Sequence, residues 1–429
     1  MKITPAHSIN GKLRLPGDKS ISHRAALIAA LSQGESEISN FSTAQDCAST
    51  LNCLRGLGIS IEQKDGKTIF AGYQELVAPR EPLDCGNSGS TLRILAGVLA
   101  GYDFTTELVG DASLSSRPMQ RIIEPLELMG ARIESTNGKA PLKVHGTSNP
   151  IPITYKLPVA SAQVKSAILF AGLNAKGRTT VIETTQSRDH TERLFNGFGV
   201  PVTTNADRSV TLWGPACFAG GEITIPGDVS SAAYFVAAAM LLPESQLTIE
   251  GVGLNPTRAA FLSVLSSWGA DITTTDQQFE RNEPHGTINV RGGIGGSAAE
   301  SDRTLSESMI PSLIDELPLL AVVGSQIEGG IRIRDASELR LKESDRLATT
   351  AANLRAMGAE VEEFPDGLSV SGPTQLHGAL LDSHGDHRIA MAFAVAALLA
   401  KGETEITGAD CVAISFPEFF SLLESVVQR

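Results

Sequence analysis

The sequence has few cysteines and few aromatic residues, and it has no long run of apolar residues. Its five cysteines are odd in number and include no Cys-x-x-Cys pair, which argues against a disulfide framework and a zinc site. The longest apolar run, AAYFVAAAMLL from Ala232, is too short to span a bilayer and fits a buried helix. The N-terminus lacks the apolar segment of a signal peptide. These absences predict a cytoplasmic protein with no membrane partner.

Basic residues are fewer than acidic residues, and the formal net charge of the 429 residues is -13. A chain without a broad basic face is not expected to bind nucleic acid. There is no Walker motif, no dinucleotide-binding glycine fingerprint and no His-Glu-x-x-His zinc motif. The sequence therefore gives no support to kinase or dehydrogenase chemistry or to a metal site.

What the chain does have is a repeat. A polar or glycine-containing turn, an alanine-rich helix and a strand recur six times, beginning near Gly17, Gly86, Ala160, Gly227, Ile314 and Gly385. Intervals of roughly 70 residues indicate an internal repeat. Between the copies, a helix ends at glycine and a pair of alternating strands follows, as in CLRGLGISIEQ. The pattern predicts an α/β fold of six β-α-β-α-β-β units.

The two similar sequences LPGDKS and IPGDVS mark the places where the chain is expected to cross between domains. We expect an inserted domain of three repeats over residues 17–228. Residues 1–16 plus 229–429 would form a second domain of three repeats, closed by the N-terminal strands. The helix starts of both domains would face one interdomain cleft, the predicted active site. A single solenoid is the alternative, but it would need capping repeats.

Cations gather where the apolar helices begin. LPGDKSISHRA places Lys19, His23 and Arg24 at a helix start, where the helix dipole favours acidic residues instead. SSRPM places Arg117 before a proline, which predicts a position at the start of a helix. Each of these segments alone is as consistent with an ordinary capped helix. Together they indicate two anionic ligands bound at helix N-termini.

The C-terminal half adds carboxylates to this pattern. IDELPLL places Asp315 and its neighbouring glutamate in an apolar segment, and a half-buried carboxylate beside cations is typical of a general base. ELRLKESDRLA places Lys342 and Arg346 four residues apart, which predicts one face of an opening helix. A salt-bridged surface helix is the ordinary interpretation of such a run. We expect Asp315 and Glu343 to be available for proton transfer.

Nine segments, taken in order, resemble the 5-enolpyruvylshikimate-3-phosphate synthase (3-phosphoshikimate 1-carboxyvinyltransferase) family over nearly the whole chain. They are LPGDKSISHRA, GNSGSTLR, SSRPM, SAQVK, RDHTE, NPTR, IDE, KESDR and GDHRIAM. Four of them, GDKS, SAQVK, RDHTE and NPTR, resemble the class II branch. The resemblance implies a two-domain inside-out α/β barrel with three repeats in each domain.

The resemblance also implies the reaction and its participants. Phosphoenolpyruvate would transfer its enolpyruvyl group to the 5-hydroxyl of shikimate 3-phosphate, releasing phosphate, in the shikimate pathway to chorismate and aromatic amino acids. No cofactor is implied. Glyphosate is implied as an inhibitor at the phosphoenolpyruvate site, because the chain keeps Gly89 where some tolerant class II members have alanine. The protein is expected to be a monomer.

Site residues follow from the resemblance position by position. Binding of shikimate 3-phosphate is implied for Lys19, Ser20, Arg24, Ser161, Ala162, Gln163, Arg188, Asp315 and Lys342. Binding of phosphoenolpyruvate is implied for Lys19, Gly89, Arg117, Gln163, Arg346 and Arg388. Catalytic roles are implied for Asp315, the base on the 5-hydroxyl, for Glu343, the acid at C3, and for Lys19 and His387.

The chain departs from the family pattern at Ala162, where many members have serine, and at Ser90, where threonine is commoner. Ile414 stands where many class I members have a lysine that contacts phosphoenolpyruvate. UDP-N-acetylglucosamine enolpyruvyl transferase is the nearest alternative, but GDASLSSRPM lacks the reactive cysteine that this enzyme normally carries. A non-catalytic repeat scaffold is the other alternative, and it does not explain carboxylates among cations.

Overall fold

Apolar helices flanked by short strands make up most of residues 1–72, 75–294 and 303–429, which the computed structural model describes. The α-helices in these ranges are α1 (Lys19–Leu31), α2 (Gln45–Gly56), α3 (Gly89–Leu99), α4 (Ala112–Ser116), α5 (Gln120–Leu128), α6 (Ala162–Gly172), α7 (His190–Gly197), α8 (Val229–Leu241), α9 (Ala260–Ser267), α10 (Ile310–Leu313), α11 (Leu317–Gly324), α12 (Arg346–Ala356), α13 (His387–Leu399) and α14 (Phe419–Val426). Short 3₁₀ helices cover Glu307–Met309, Ser337–Leu341 and Ala409–Ile414.

The strands are short, as expected for a repeat built from small units. They are β1 (Lys2–Ile3), β2 (Ser8–Arg14), β3 (Ser36–Ser39), β4 (Ile61–Lys64), β5 (Lys67–Phe70), β6 (Leu83–Asp84), β7 (Thr105–Val109), β8 (Arg132–Thr136), β9 (Lys139–His145), β10 (Thr154–Lys156), β11 (Gly177–Ile182), β12 (Val202–Thr204), β13 (Ser209–Gly214), β14 (Glu222–Thr224), β15 (Gln246–Gly253), β16 (Ala270–Glu280), β17 (Glu283–Ile294), β18 (Thr304–Leu305), β19 (Ile331–Ile333), β20 (Val361–Phe364), β21 (Gly367–Val370), β22 (Leu380–Asp382), β23 (Thr404–Thr407) and β24 (Val427–Gln428).

The chain divides into two units, which we call the inserted unit and the terminal unit. The inserted unit contains Pro16–Pro226 and Phe279–Glu283. The terminal unit contains Met1–Leu15, Gly227–Gln278 and Pro284–Arg429. The predicted boundary after residue 228 lies two residues beyond the end of Pro16–Pro226. Gly227 already belongs to the terminal unit, since its amide donates to the Gly251 carbonyl at 2.8 Å.

In the described ranges each unit has three sheets, and five of the six join a parallel pair of strands to an antiparallel hairpin; in the sixth, β23 pairs in parallel with β22 and antiparallel with β1. The inserted unit has the orders β14-β3-β5-β4, β6-β7-β9-β8 and β10-β11-β13-β12. The terminal unit has the orders β18-β19-β21-β20, β16-β17-β15-β2-β24 and β1-β23-β22. All six sheets are open in the described part of the chain, and none closes into a barrel. The predicted α/β class with six repeats, three in each half, is confirmed.

The N-terminal strands complete the terminal unit. In the other repeats, the strands before and after the apolar helix pair with each other, as β6 pairs with β7. At the two crossings the partners are exchanged: β2 pairs in parallel with β15, and β14 pairs with β3. β1 pairs with β23, with Ile3 opposite Thr404. β1 thus joins the sheet of the sixth repeat, whereas β2 joins the sheet of the fourth, so the N-terminal segment is divided between two repeats instead of completing the sixth alone.

A separate apolar core fills each unit, and apolar helices supply much of it. In the inserted unit, α3 contacts both α1 and α6. In the terminal unit, α8, α11 and α13 contact one another. Every residue of α8 except Leu241 is buried. Such helices lack a polar face, so the strands lie outside them and only the helix ends remain for polar side chains.

Glycines end the second helix of five repeats in the predicted way. The positive φ angles are 90° at Gly58, 101° at Gly130, 80° at Gly199, 98° at Gly269 and 94° at Gly358. A left-handed residue stops a helix and reverses the chain into the following strand at little cost only when it is glycine.

No helix in the described ranges is long and apolar enough to cross a bilayer.

Candidate active site

Acidic caps precede the cations that the sequence places at helix starts. The carboxylates of Asp18, Asp228, Asp345 and Asp386 accept hydrogen bonds from backbone amides in the first turns of α1, α8, α12 and α13. For Asp18 the acceptor distance to the Ile21 amide is 2.9 Å. An aspartate cap satisfies free amides and offsets the positive end of the helix dipole. This is how residues such as Lys19 and Arg346 can occupy the first position of a helix.

Lys19 lies at the first position of α1 and forms an ion pair with Asp46. Its Nζ is 2.8 Å from Asp46 Oδ2, and the two side chains are 15% and 9% exposed. Asp46 belongs to α2, twenty-seven residues further along the chain. The pair fixes the ammonium group at the start of α1 while leaving one side of it accessible.

Arg24 lies one turn further along α1 and is almost fully buried, at 3% exposure. It donates to Thr191 Oγ1 at 2.8 Å, to the Ser20 carbonyl at 2.8 Å and to Ser166 Oγ at 2.9 Å. All three acceptors are neutral. Burial lowers the pKa of Arg24 to about 10, although the charge of Glu192 opposes this change. The guanidinium is held by neutral oxygens, so its positive charge is suited to attracting an anion.

Arg188 joins the same cluster from the segment before α7. Its Nη1 donates to Ser20 Oγ at 3.4 Å. The cluster at the start of α1 thus contains four residues implied to bind shikimate 3-phosphate, Lys19, Ser20, Arg24 and Arg188. Behind it, Lys165 is buried between Glu183 and Glu192, with Nζ–O distances of 2.8 and 2.6 Å.

A second cluster forms where α3 and α6 begin. Arg93 Nη1 donates to Gln163 Oε1 at 2.7 Å, and Gln163 Nε2 donates to Ser90 Oγ at 2.9 Å. Gly89 is the first residue of α3, and a Cβ placed on it would lie 2.8 Å from Arg93 Nη1 and 3.5 Å from Arg117 Nη1. Glycine at this position therefore lets the two guanidinium groups approach the helix start.

The two helices that begin at this second cluster, α3 and α6, have serine N-caps. Ser161 is the N-cap of α6, and its Oγ accepts from the Val164 amide at 3.4 Å. Ala162 is the first residue of α6 and supplies no hydroxyl. Ser88 caps α3, accepting from the Thr91 amide at 3.1 Å. The hydroxyl proton of Ser161 remains able to donate to a ligand.

The predicted place of Arg117 at a helix start is wrong. Arg117 is the C-cap of the short helix α4, and the next helix begins at Gln120. Pro118 lies between the two helices, so it separates them instead of opening one. Arg117 is held by Asn87, whose Oδ1 accepts from Nη2 at 2.7 Å, and by Ser113 Oγ at 3.0 Å. These contacts, not a helix dipole, direct the guanidinium toward the Gly89 loop.

In the terminal unit, Arg346 is surrounded by carboxylates. Its Nε donates to Asp386 Oδ2 at 2.8 Å, its Nη1 to Asp315 Oδ1 at 3.2 Å and its Nη2 to Glu343 Oε2 at 2.7 Å. Burial alone would lower the pKa of Arg346, but the three carboxylates raise it well above its usual value. The two predicted proton-transfer residues, Asp315 and Glu343, are thus brought together on one guanidinium.

Arg388 completes this cluster from the first turn of α13. Its Nη2 is 3.7 Å from Asp315 Oδ2, and its Nη1 is 3.5 Å from the Tyr234 hydroxyl. Burial raises the pKa of Tyr234 to about 12, so the phenol stays protonated. His387, the other residue predicted at this helix start, is the first residue of α13 and is buried.

The structure separates the roles of the adjacent carboxylates Asp315 and Glu316. Glu316 is 2% exposed and accepts a short hydrogen bond from Ser230, which also accepts from Arg258 Nη2 at 2.6 Å. Asp315 has a side chain that is 16% exposed and faces the two arginines. Glu316 is therefore held in the protein interior, whereas Asp315 remains accessible.

The predicted helix face shared by Lys342 and Arg346 is wrong. A 3₁₀ helix ends at Leu341, Lys342 has an extended backbone, and α12 begins only at Arg346. The aspartate before Arg346 explains the break, because one oxygen of Asp345 caps α12 and its other oxygen accepts from Arg340 Nη1 at 2.7 Å in an ion pair. Lys342 and Glu343 thus lie in the loop that leads to the cluster.

Sequence reasoning missed three residues of these clusters: Asp46, Arg93 and Asp386. Asp386 and Arg93 lie inside the motifs GDHRIAM and GNSGSTLR, in which the predicted site residues are neighbours of these two. An acidic residue just before a cationic helix start is the signal that could have found Asp386. Asp46 has no such signal, because its pairing with Lys19 joins two helices.

Comparison with known proteins shows the family to which the chain belongs. A family model described as EPSP synthase (3-phosphoshikimate 1-carboxyvinyltransferase) matches residues 3–423. The curated 3-phosphoshikimate 1-carboxyvinyltransferase of Koribacter versatilis (strain Ellin345) is 53% identical over 433 residues, which cover 100% of this chain and 99% of the relative. That of Solibacter usitatus (strain Ellin6076) is 48% identical over 430 residues, covering 100% and 99%.

Solved structures show the same architecture. The EPSP synthase of Acinetobacter baumannii matches with a TM-score of 0.87 at 38% identity, covering 99% of this chain and 98% of that chain. The enolpyruvyl transferase NikO from Streptomyces tendae matches with a TM-score of 0.78 at 18% identity, covering 99% and 96%, which shows the fold alone. The fold is that of an enolpyruvyl transferase.

The chain belongs to the EPSP synthase family. It is a transferase of the shikimate pathway of aromatic amino acid biosynthesis. It transfers the enolpyruvyl group of phosphoenolpyruvate to shikimate 3-phosphate. The names of these relatives do not favour the alternative that the chain is a UDP-N-acetylglucosamine enolpyruvyl transferase.

His23 gives a prediction about stability and pH. Burial and the nearby charges of Lys19 and Arg24 lower the pKa of His23 well below its usual value. The Nδ1 atom of His23 forms a hydrogen bond of 2.7 Å with Thr50 Oγ1. The unfolded chain binds a proton at His23 near pH 6.5, whereas the folded chain does not, so stability falls as pH drops below about 6.5. His23→Gln should lose less stability on acidification.

The measurement is the melting temperature at about pH 7.5 and about pH 5. Wild type should lose at least about 4 °C more than His23→Gln between the two. The exposed His7 provides the control, and His7→Gln should behave as wild type. Equal losses in wild type and His23→Gln would contradict the neutral, buried state of His23.

Proposed function

We propose that the cluster at the start of α1 binds the phosphate and ring substituents of shikimate 3-phosphate. The observation that carries the proposal is Arg24, a buried guanidinium whose hydrogen-bond acceptors are all neutral. Lys19 and Arg188 add two cations on the same side of α1. Phosphate and carboxylate oxygens are the acceptors that such a group of donors prefers. Ser161, Ala162 and Gln163 would line the ring from the start of α6.

The Gly89 cluster is the proposed phosphoenolpyruvate side of the inserted unit. Arg117 is already oriented by Asn87 and Ser113, so little orientation entropy is lost when it binds an anion. Gln163 would contact both substrates, since it lies between Ser90 and Arg93. Arg93 is an additional candidate for the same anion.

The carboxylate cluster of the terminal unit is the proposed source of proton transfer. As the 5-hydroxyl oxygen bonds to C2 of phosphoenolpyruvate, its proton passes to Asp315 and C3 takes a proton from Glu343. Elimination then breaks the C2–O bond to phosphate and returns a C3 proton to Glu343, while the proton held by Asp315 passes to the departing phosphate, which leaves as hydrogen phosphate. The balance is one enolpyruvyl group transferred and one phosphate released.

Arg346 links binding to this chemistry. In the unliganded protein it holds Asp315 and Glu343 as ion pairs at 3.2 and 2.7 Å. An incoming phosphoenolpyruvate anion would compete for Arg346 and Arg388, releasing the two carboxylates. Loss of the arginine and arrival of a negative charge both favour protonation of Glu343, the state that an acid needs.

Three further roles complete the proposal. Lys342 would hold the shikimate ring from the loop before α12, and His387 would lie near the leaving phosphate. Ile414 ends a 3₁₀ helix and offers no cation, so the arginines would carry the charge that lysine carries in class I members. The monomeric state, the cytoplasmic location and the interdomain position of the active site stay predictions.

Phosphate release tests the proposed reaction. The assay compares phosphoenolpyruvate alone, with shikimate 3-phosphate and with UDP-N-acetylglucosamine. We expect release only with shikimate 3-phosphate, because the cluster around Arg24 is built for a phosphorylated acceptor. Release with UDP-N-acetylglucosamine, or equal release without any acceptor, would contradict the proposal.

Asp315→Asn should lower kcat by roughly a hundredfold or more, because the amide cannot accept the 5-hydroxyl proton. Binding of shikimate 3-phosphate, measured by calorimetry, should change little. Asp271→Asn is the matched control, since Asp271 is an exposed carboxylate of the same unit. A scaffold without catalysis predicts no turnover in any variant, and unchanged kcat in Asp315→Asn would assign the base elsewhere.

Gly89 gives a prediction about glyphosate. The inhibitor should compete with phosphoenolpyruvate in wild type, because glycine leaves the helix start open between Arg93 and Arg117. In Gly89→Ala the added Cβ meets Arg93 Nη1 at 2.8 Å, so the side chain must shift. We expect inhibition to weaken by about tenfold or more and the KM for phosphoenolpyruvate to rise less. Wild type unaffected by a large excess of glyphosate would refute the prediction.

A further inference from the structure

The hairpin of β16 and β17 is divided between the two units. β16 (Ala270–Glu280) and β17 (Glu283–Ile294) belong to the five-stranded sheet of the terminal unit, but Phe279–Glu283 belongs to the inserted unit. We call Phe279–Glu283 the hairpin tip. The motifs that predict the site do not include it, and its side chains contact α7 and its flanking residues within the inserted unit.

The turn at the hairpin tip has an unusual backbone. Arg281 and Asn282 have φ angles of 47° and 67°, the left-handed pair of a two-residue hairpin turn. Asparagine adopts this conformation readily, but arginine is uncommon there, and glycine would suit the backbone better. An arginine at this position is explained by what its side chain contacts.

Arg281 contacts the C-terminal end of α7, and Asn282 contacts the middle of the helix at Arg193. Arg281 Nη1 donates to the Gly197 carbonyl at 2.8 Å, and its guanidinium lies 4.5 Å from the centre of the Phe198 ring. Arg193 Nη1 donates to the Asn282 carbonyl at 3.0 Å, and Asn282 Nδ2 donates back to the Arg193 carbonyl at 3.3 Å. Four contacts thus fix one side of a helix only eight residues long.

Glu283 holds the first turn of the same helix. Its Oε1 is 2.7 Å from His190 Nδ1, and both side chains are 1% exposed. The next residue after His190 is Thr191, whose Oγ1 accepts from Arg24 Nε at 2.8 Å. Arg188, two residues before His190, contacts Ser20. Glu283 is therefore one residue removed from the hydroxyl that orients Arg24.

We propose that the hairpin tip is a positioning element for shikimate 3-phosphate: it fixes α7 so that Thr191 and Arg188 hold Arg24 and Ser20 in the binding geometry. This inference rests on the proposed role of the α1 cluster. Glu283 and Arg281 touch no substrate, so they act through α7. The expected effect falls mainly on one substrate, because Gly89, Arg117 and Gln163 lie on elements other than α1 and α7. Lys19, which is implied to bind both substrates, is held by Asp46 of α2.

The first test compares Glu283→Ala with Glu283→Gln in the full-length protein. Glu283→Ala removes the acceptor of His190, and we expect the Kd and KM for shikimate 3-phosphate to rise about tenfold, while kcat and the KM for phosphoenolpyruvate change less than about twofold. Glu283→Gln keeps an acceptor oxygen and should restore most of the affinity. Thr274→Ala, a substitution of an exposed residue on β16 of the same hairpin, is the control.

Arg281→Gly separates positioning from stability. Glycine suits the left-handed turn, so the melting temperature should fall little, but the contacts with Gly197, Phe198 and the Glu222 carbonyl of β14 disappear. A rise of about threefold or more in the Kd for shikimate 3-phosphate, with a folded protein, would support the proposal. Unchanged affinity in both Glu283→Ala and Arg281→Gly overturns it, as does an equal loss for both substrates.

The failure of the proposed function would look different. If wild type binds no shikimate 3-phosphate, or if Arg24→Ala binds it as well as wild type, the role of the α1 cluster is wrong, and the hairpin tip has no substrate to position. If wild type binds and Arg24→Ala does not, the comparison of the tip variants decides the inference alone.

Discussion

The burial of whole apolar helices is the constraint on which the rest of the structure depends. α8 and α13 have no face for water, because nearly every residue of each is buried. Such helices must be enclosed by strands, which explains why each unit has three sheets around a core of helices. Polar chemistry can then reach the interior only at the helix ends. The candidate residues accordingly lie at helix starts or in the loops that lead to them.

Two buried arginines show opposite ways of keeping a charge inside a protein. Arg346 is neutralised by three carboxylates, so its place is fixed before any ligand arrives. Arg24 is held by two hydroxyls and a carbonyl, so its charge is left for a ligand. A carboxylate-paired arginine exchanges partners on binding, whereas a hydroxyl-bound one gains a partner. In the proposed function, Arg346 would release its carboxylates when an anion binds, whereas Arg24 would gain an anion as an additional partner.

Local patterns in the sequence predicted the features that local chemistry determines. The repeat, the buried helices and the glycine stops at positions such as Gly58 depend on neighbouring residues, and the structure has them. The place of Arg117 could not be predicted from its proline, because a short helix before it competes for the same segment. The Lys19–Asp46 pair and the hairpin tip join distant segments, and periodicity carries no information about such pairings.

The parallel pairing of β2 with β15 has a consequence for synthesis of the chain. Leu13 lies opposite Ile249, and Ile3 lies opposite Thr404, so the first strands made are among the last to find partners. Most of the inserted unit leaves the ribosome while the N-terminal strands are still unpaired. Unpaired strand edges are sites of wrong association. The very short β1 and the charged Lys12 and Arg14 of β2 limit this risk until the last repeat is complete.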